Sequence, residues 1–138
     1  MMGMNLFTYG SLMFDEVWSR LVRGAYVKRA ARLRGFARRR VQGDVYPVIV
    51  RSHDGDWVDG VVYFDIDPDD LRRLDLFEAD AYDRQSHVIL VEGCEEHWAD
   101  AYVLKDGYRH MIHDCQWDPQ WFEREALPIF LGNYRGFH

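Results

Sequence analysis

The sequence predicts an α+β domain, and three observations carry that expectation. Several short runs alternate or cluster apolar residues at strand-like spacing. Helical patterns are inserted between these runs without regular βαβ alternation. The chain has 138 residues, 48% of them hydrophobic and 15% aromatic. That size fits one domain over residues 1–138, large enough to bury a core without a disulfide framework or a metal. Asn5–Tyr9, short and aromatic, reads as a strand running into Gly10-Ser11. A helical pattern follows, with Phe14, Val17, Trp18, Leu21 and Val22 on one side, ending at Gly24. Two strand-like runs fill Ala25–Val41, broken near Gly35. Val45–Arg51 and Trp57–Phe64 are further strands, parted by the turn His53-Asp54-Gly55-Asp56.

Asp67-Pro68-Asp69-Asp70 is a strong helix start: a capping acid, proline at the first helical position, and acids in the first turn. The helix carries Leu71, Leu74 and Leu76-Phe77 as apolar residues and ends near Glu78-Ala79. His87–Glu92 and Trp98–Leu104 are two more strands. A last helix opens at Asp118-Pro119, with Trp121, Phe122 and Ala126 as its apolar side, and Pro128 disturbs it.

Composition excludes several classes. The chain is too apolar for disorder, and no stretch approaches the ~18 apolar residues of a membrane span. No secretory pattern is visible, and two cysteines, Cys94 and Cys115, fit reduced thiols, so a cytoplasmic location is expected. The net charge is −6 but segregated: from Val17 to Gly43 there are lysines and arginines and no acids. The run from Lys28 to Arg40 invites a nucleic-acid reading, since clustered cations release counterions from phosphates. Interleaved Val27, Ala31, Leu33 and Phe36 point instead to amphipathic strands with a solvated basic face. An acidic remainder would repel a polyanion. Neither nucleic acid nor membrane is expected as a partner.

Three constellations could carry chemistry. In Phe7-Thr8-Tyr9-Gly10-Ser11-Leu12, a strand turns at glycine into a helix start. Such a turn can aim main-chain N–H groups at an anion, with Gly10 allowing a sharp bend and close ligand approach. It can equally be a purely structural connection. Glu78 stands where helix gives way to strand, beside Phe77 and Ala79. A partly desolvated carboxylate there would have a raised pKa suited to proton transfer. Spacing alone favours an exposed glutamate, and Asp75 and Asp80 are alternative acids nearby. Cys94-x-x-His97 and His110-x-x-His113, with Cys115, imitate zinc-site spacing. Nothing in the sequence makes the two halves converge, so no metal is expected. Asp65-Ile66-Asp67-Pro68-Asp69 begins like a calcium loop but lacks its glycine and terminal glutamate, at Asp70 and Leu76.

Taken in order, these segments resemble the gamma-glutamylcyclotransferase family, in particular its avirulence-induced-protein-like branch. The stretches that carry the likeness begin with Leu6-Phe7-Thr8-Tyr9-Gly10-Ser11-Leu12 and Ala31-Arg32-Leu33-Arg34-Gly35-Phe36. Tyr46-Pro47-Val48-Ile49-Val50 and Val58-x-Gly60-x-Val62-Tyr63-Phe64 follow. Next is Leu71-x-x-Leu74-Asp75-x-Phe77-Glu78-x-x-x-Tyr82-x-Arg84, and then the tail Trp117-Asp118-Pro119-Gln120-Trp121-Phe122. Ala79 stands where many members of the family have Gly or Asp.

The resemblance implies a small closed mixed β-barrel with attached helices, and a cavity between the Tyr9–Leu12 loop and Glu78. It implies that a small-molecule γ-glutamyl amine or amino acid is cyclised to pyroglutamate, releasing the amine. No metal or organic cofactor is required. Glu78 would be the proton shuttle, and Tyr9, Gly10, Ser11, Leu12, Tyr82 and Tyr102 the substrate-binding residues. Trp117, Trp121 and Phe122 would either cover one side of the cavity or pack the last helix on the barrel. A different reading keeps the same cavity as a non-catalytic metabolite-binding module. Neither the leaving amine nor the oligomeric state follows from the sequence.

Overall fold

A computed structural model describes residues 3–40, 47–53, 55–78, 81–112, 117–128 and 131. Among the described residues seven strands form: β1 (Met4–Thr8), β2 (Lys28–Arg34), β3 (Phe36–Arg40), β4 (Pro47–Arg51), β5 (Trp57–Ile66), β6 (Tyr82–Val91) and β7 (Glu95–Leu104). Three helices join them: α1 (Asp15–Leu21), α2 (Pro68–Glu78) and α3 (Pro119–Trp121), which runs on into a π-helical turn over Phe122–Ala126. A 3₁₀ turn over Ser11–Met13 links β1 to α1.

Five strands close into a barrel in the order β1-β5-β2-β6-β7, and β3-β4 forms a separate two-stranded sheet. The barrel is mixed: β1 pairs with β7 in parallel, whereas the β1–β5, β2–β5, β2–β6 and β6–β7 pairs are antiparallel. Period-two alternation sorts the side chains into two cores. Leu6, Tyr63, Ile66 and Tyr102 join the side chains of the helices, including Trp18, Leu74 and Phe122. Phe7, Val62, Ala101 and Val103 join Phe36 and Ile49 from the small sheet.

The helix starts read from sequence are built as capping chemistry requires. Asp67 Oδ1 accepts from Asp69 N at 3.0 Å and Asp118 Oδ1 accepts from Gln120 N at 3.0 Å, each just before a proline. The break between β2 and β3 falls at Gly35, whose φ of +81° is the left-handed region that disfavours a side chain.

Several expectations need correction. β6 begins at Tyr82 rather than near His87, because Asp83-Arg84-Gln85-Ser86 has polar side chains on both faces and hides the apolar alternation. β7 likewise starts at Glu95, ahead of Trp98, and β5 runs on to Ile66. Leu76 is 70% exposed, since two residues on from Leu74 it lies on the opposite side of the helix. The last helix is disturbed ahead of Pro128, as expected, and not ended by it. The chain widens one turn earlier, where Leu127 N donates to Phe122 O in the π register. Residues 41–46, and with them the start of the expected Val45–Arg51 strand, lie outside the described residues.

Candidate functional site

The site is assembled where the C-terminal end of β1, the end of α2 and the facing strands β6 and β7 meet. The parallel β1–β7 pairing, registered at Leu6–Asp100, carries Tyr9 forward alongside Tyr102. The antiparallel β6–β7 register sets Arg84 opposite Tyr102 and Ser86 opposite Asp100. Tyr82, Arg84 and Ser86 therefore share one face with Asp100 and Tyr102.

Tyr9 is buried, and its hydroxyl donates to the Tyr102 carbonyl at 2.6 Å. Burial, with Tyr82, Glu78 and Tyr102 close by, holds its pKa well above that of free tyrosine, and the Arg38 charge offsets this in part. Arg38 Nη1 donates to the Tyr9 carbonyl at 2.8 Å, so the residue is held at both ends. Gly10 has φ of −136°, so the bend needs no left-handed residue. Its requirement for glycine comes instead from Pro47: a Cβ at Gly10 would stand 2.5 Å from Pro47 Cγ. The group that approaches Gly10 on this side is a proline ring. Ser11 and Leu12 are buried. Their N–H groups open the 3₁₀ turn, whose first bond runs from Met13 N to the Gly10 carbonyl, so neither has an intrahelical acceptor.

Glu78 is the last residue of α2 and is half-buried. Burial, and secondarily the Asp75 charge, push its carboxyl from 4.5 up to about 8. The structure therefore gives Glu78 a different environment from Asp75. Asp75 Oδ1 accepts from the Tyr102 hydroxyl at 2.7 Å and from Arg84 Nε at 3.0 Å. Two donors meet at Asp75, one of them a cation, whereas Glu78 lies close to tyrosines. Asp80, the other alternative acid, lies outside the described residues. Burial first, then the bond to Asp75, raises the pKa of Tyr102, so its hydroxyl remains a donor. Tyr82 is half-buried and its hydroxyl donates to the Pro47 carbonyl at 3.3 Å.

Tyr9, Tyr82, Tyr102 and Glu78 are thus brought together, and Gly10 to Leu12 continue from Tyr9 on the same edge. Two groups escaped the sequence reading. Arg84 appeared there only as part of a motif, yet it spans Asp75 and the buried Asp100, with Nη1 at 2.5 Å from Asp100 Oδ2. Arg38 belongs to the basic run, yet it supports the Tyr9 carbonyl. The Glu78-x-x-x-Tyr82-x-Arg84 spacing of the motif is the signal that could have found Arg84.

The basic run is dispersed. Lys28 pairs with Asp15, Arg29 with Glu92 and Glu95, and Arg32 with Asp59. Arg38 and Arg40 lie over the Trp117 and Trp121 rings at 5.3 and 4.5 Å. The C-terminal aromatics pack the last helix: Phe122 meets Phe14 and Trp117, each with ring centroids 5.3 Å apart. Trp117 also lines a cleft of about 250 Å³ with Arg38 and Trp57. Cys94 lies just before β7, His97 near its start and His110 beyond its end, with about 23 Å of strand between His97 and Leu104. His113 and Cys115 lie outside the described residues. No helix among the described residues is long and apolar enough to cross a membrane.

Comparison with known proteins decides the family. The family model described as gamma-glutamyl cyclotransferase, AIG2-like, matches residues 6–119. The chain belongs to this AIG2-like family. AIG2-like protein C of Arabidopsis thaliana is 39% identical over 139 residues, covering 95% of this chain and 80% of that protein. Among solved structures, an Arabidopsis thaliana protein determined in solution superposes with a TM-score of 0.72 at 27% identity, covering 94% of this chain and 86% of its own. A structure titled gamma-glutamyl cyclotransferase superposes with a TM-score of 0.64 at 20% identity, over 97% of this chain and 89% of its own. The latter shares the fold. The AIG2-like match spans β1 to the start of α3 and includes every residue of the tyrosine–glutamate site.

Proposed function

We propose that this AIG2-like protein is a cyclotransferase that converts the γ-glutamyl group of an amine or amino acid to pyroglutamate. The single observation that carries the reading is Glu78: a glutamate with a carboxyl pushed up to about 8, set among Tyr9, Tyr82 and Tyr102. Family membership and a fold shared with a gamma-glutamyl cyclotransferase support the same class of enzyme.

The chemistry is intramolecular. The substrate's α-amine attacks its own γ-carbonyl, a C–N bond forms, and the γ-amide C–N bond breaks. Nucleophile and electrophile are already tethered, so holding the bent conformer removes much of the entropic barrier. The amine arrives as an ammonium and cannot attack until it loses a proton. Glu78, made more basic by burial than an ordinary glutamate, takes that proton and returns it to the departing nitrogen. The Ser11 and Leu12 N–H groups supply donors for the substrate carboxylate or the developing oxyanion. Tyr9 and Tyr82 wall the substrate, and Tyr102 fixes Tyr9 from behind.

The test is a panel of γ-glutamyl amines and dipeptides scored for pyroglutamate. Turnover by the wild type, lost in Glu78→Gln, supports the assignment. Binding without turnover of any member would leave the site a metabolite-binding module and overturn the enzymatic reading.

A further inference from the structure

Arg84 is the largest charged group at the site for which the reaction has no direct use. Its guanidinium bridges two elements. Nε and Nη2 reach Asp75 of α2 at 3.0 and 3.4 Å, and Nη1 reaches Asp100 of β7 at 2.5 Å. Asp100 is 4% exposed and is further held by the Ser86 hydroxyl at 2.6 Å. Asp75 in turn accepts the Tyr102 hydroxyl, and the Tyr102 carbonyl accepts the Tyr9 hydroxyl. A continuous chain of bonds therefore runs from the buried carboxylate of β7, through Arg84 and the last turns of α2, to the tyrosine that borders Glu78.

We propose that Arg84 is a positioning residue of this site, acting through Asp75: it pins the end of α2 to the barrel and balances the carboxylate that Glu78 faces one helical turn away. This rests on the cyclotransferase reading for its meaning, but the charge balance itself is a property of the folded protein.

The geometry supports action through Asp75 rather than directly on Glu78. Residues three apart on a helix are neighbours, so Asp75 and Glu78 share a face. Among the described residues, the groups that face Glu78 are Asp75 from its own helix, Tyr9 from the end of β1 and Tyr102 from β7, with Tyr82 of β6 meeting them at Tyr9. Of these, Asp75 is the one other carboxyl, and it is the one Arg84 contacts. Two carboxylates this close disfavour each other's ionisation. A guanidinium on one of them relieves that repulsion. Arginine suits the place because its planar fork can serve both carboxylates at once, where a single ammonium cannot.

The experiment follows the Glu78 carboxyl by carbon-13 NMR titration, together with the pH profile of kcat/KM. Arg84→Gln leaves Asp75 unbalanced, so the Glu78 midpoint moves to higher pH. A rise of one unit would lower the ionised fraction at pH 7 about tenfold, a deficit that shrinks as pH rises. Asp75→Asn moves the midpoint to lower pH. Adding Arg84→Gln to Asp75→Asn leaves it at the Asp75→Asn value, because the intermediary is gone. If Arg84→Gln alone fails to fold, Arg84→Gln with Asp100→Asn removes the carboxylate left buried without its cation and gives the same upward shift. A midpoint unchanged in Asp75→Asn, or moved by Arg84→Gln as much in the Asp75→Asn background as alone, would overturn the proposal. So would an activity deficit in Arg84→Gln that is equal at every pH. Because the titration needs no turnover, a protein inactive on every γ-glutamyl substrate would sink the functional reading while still deciding this one.

Discussion

The Tyr9 hydroxyl donates a 2.6 Å hydrogen bond to the main-chain carbonyl of Tyr102, latching the loop after β1 onto β7. Both residues are buried, so water is poorly placed to replace the donor. Tyr9→Phe keeps the ring in its packing against the barrel and removes only the hydroxyl. It should cost about 1–2 kcal/mol, the usual loss when a buried acceptor is left unsatisfied. Urea denaturation measures this, and an unchanged midpoint would show that the latch contributes nothing to stability.

Asp70 ties the start of α2 to the segment between α1 and β2. It accepts from Arg23 N and Gly24 N at 2.9 Å each, and from the Tyr26 hydroxyl and Arg73 Nη1 at 2.6 Å each. Burial would raise its pKa, but these four donors together hold it below the ordinary aspartate value. A depressed pKa stabilises the fold above the unfolded value of about 4 and is lost as pH falls through the folded value. Asp70→Asn should therefore destabilise by about 2–4 kcal/mol at pH 7, leaving Arg73 without its partner, with a smaller difference below pH 3. Thermal melts of both proteins across that range check the direction.

Two glycines separate close approach from backbone conformation. A Cβ at Gly60 would stand 2.1 Å from the Thr8 carbonyl, which the β1–β5 pairing cannot easily move. At Gly35 a Cβ would meet open space, and only its positive φ opposes substitution. Gly60→Ala should cost about 3 kcal/mol or more and Gly35→Ala about 1 kcal/mol. Equal midpoints in denaturant for the two variants would show that β1 and β5 yield at this point.

Much of the fold was legible because its signals are local. Asp67-Pro68 and Asp118-Pro119 state their helix starts in adjacent residues, and the break at Gly35 falls where sequence placed it. Barrel closure was not legible from periodicity, because the β1–β7 pair joins residues 94 apart, Leu6 with Asp100. The family likeness, not the spacing, supplied the barrel. The same contrast holds at the site. Glu78 and the Tyr9 loop belong to motifs that can be read along the chain. The support beneath them joins Arg84 to Asp100 and Arg38 to Tyr9, pairs that only the folded strands bring together. Polar residues on β6 carried no apolar alternation and concealed that face.

Glu78 itself predicts opposite effects on stability and on turnover. Its folded pKa of about 8 lies above the ordinary 4.5, so the folded protein holds a proton that the unfolded chain releases. Stability is then greatest below about pH 4.5, falls as pH rises towards 8, and levels off above it. Glu78→Gln has no proton to lose and escapes this penalty. The variant should match the wild type near pH 4.5 and exceed it by on the order of 2 kcal/mol above pH 8, allowing for the partial exposure of the carboxyl. Turnover should move the other way, falling by about two orders of magnitude or more, because the amide cannot take the ammonium's proton. In the wild type, kcat/KM should rise with pH through about 8. The substrate's ammonium favours the carboxylate, so the corresponding rise in kcat should sit at lower pH. Melting temperatures and initial rates measured on the same samples decide the matter. A variant that is inactive but no more stable at pH 8 would mean that Glu78 is already ionised in the free protein at that pH, and that burial does not set its basicity.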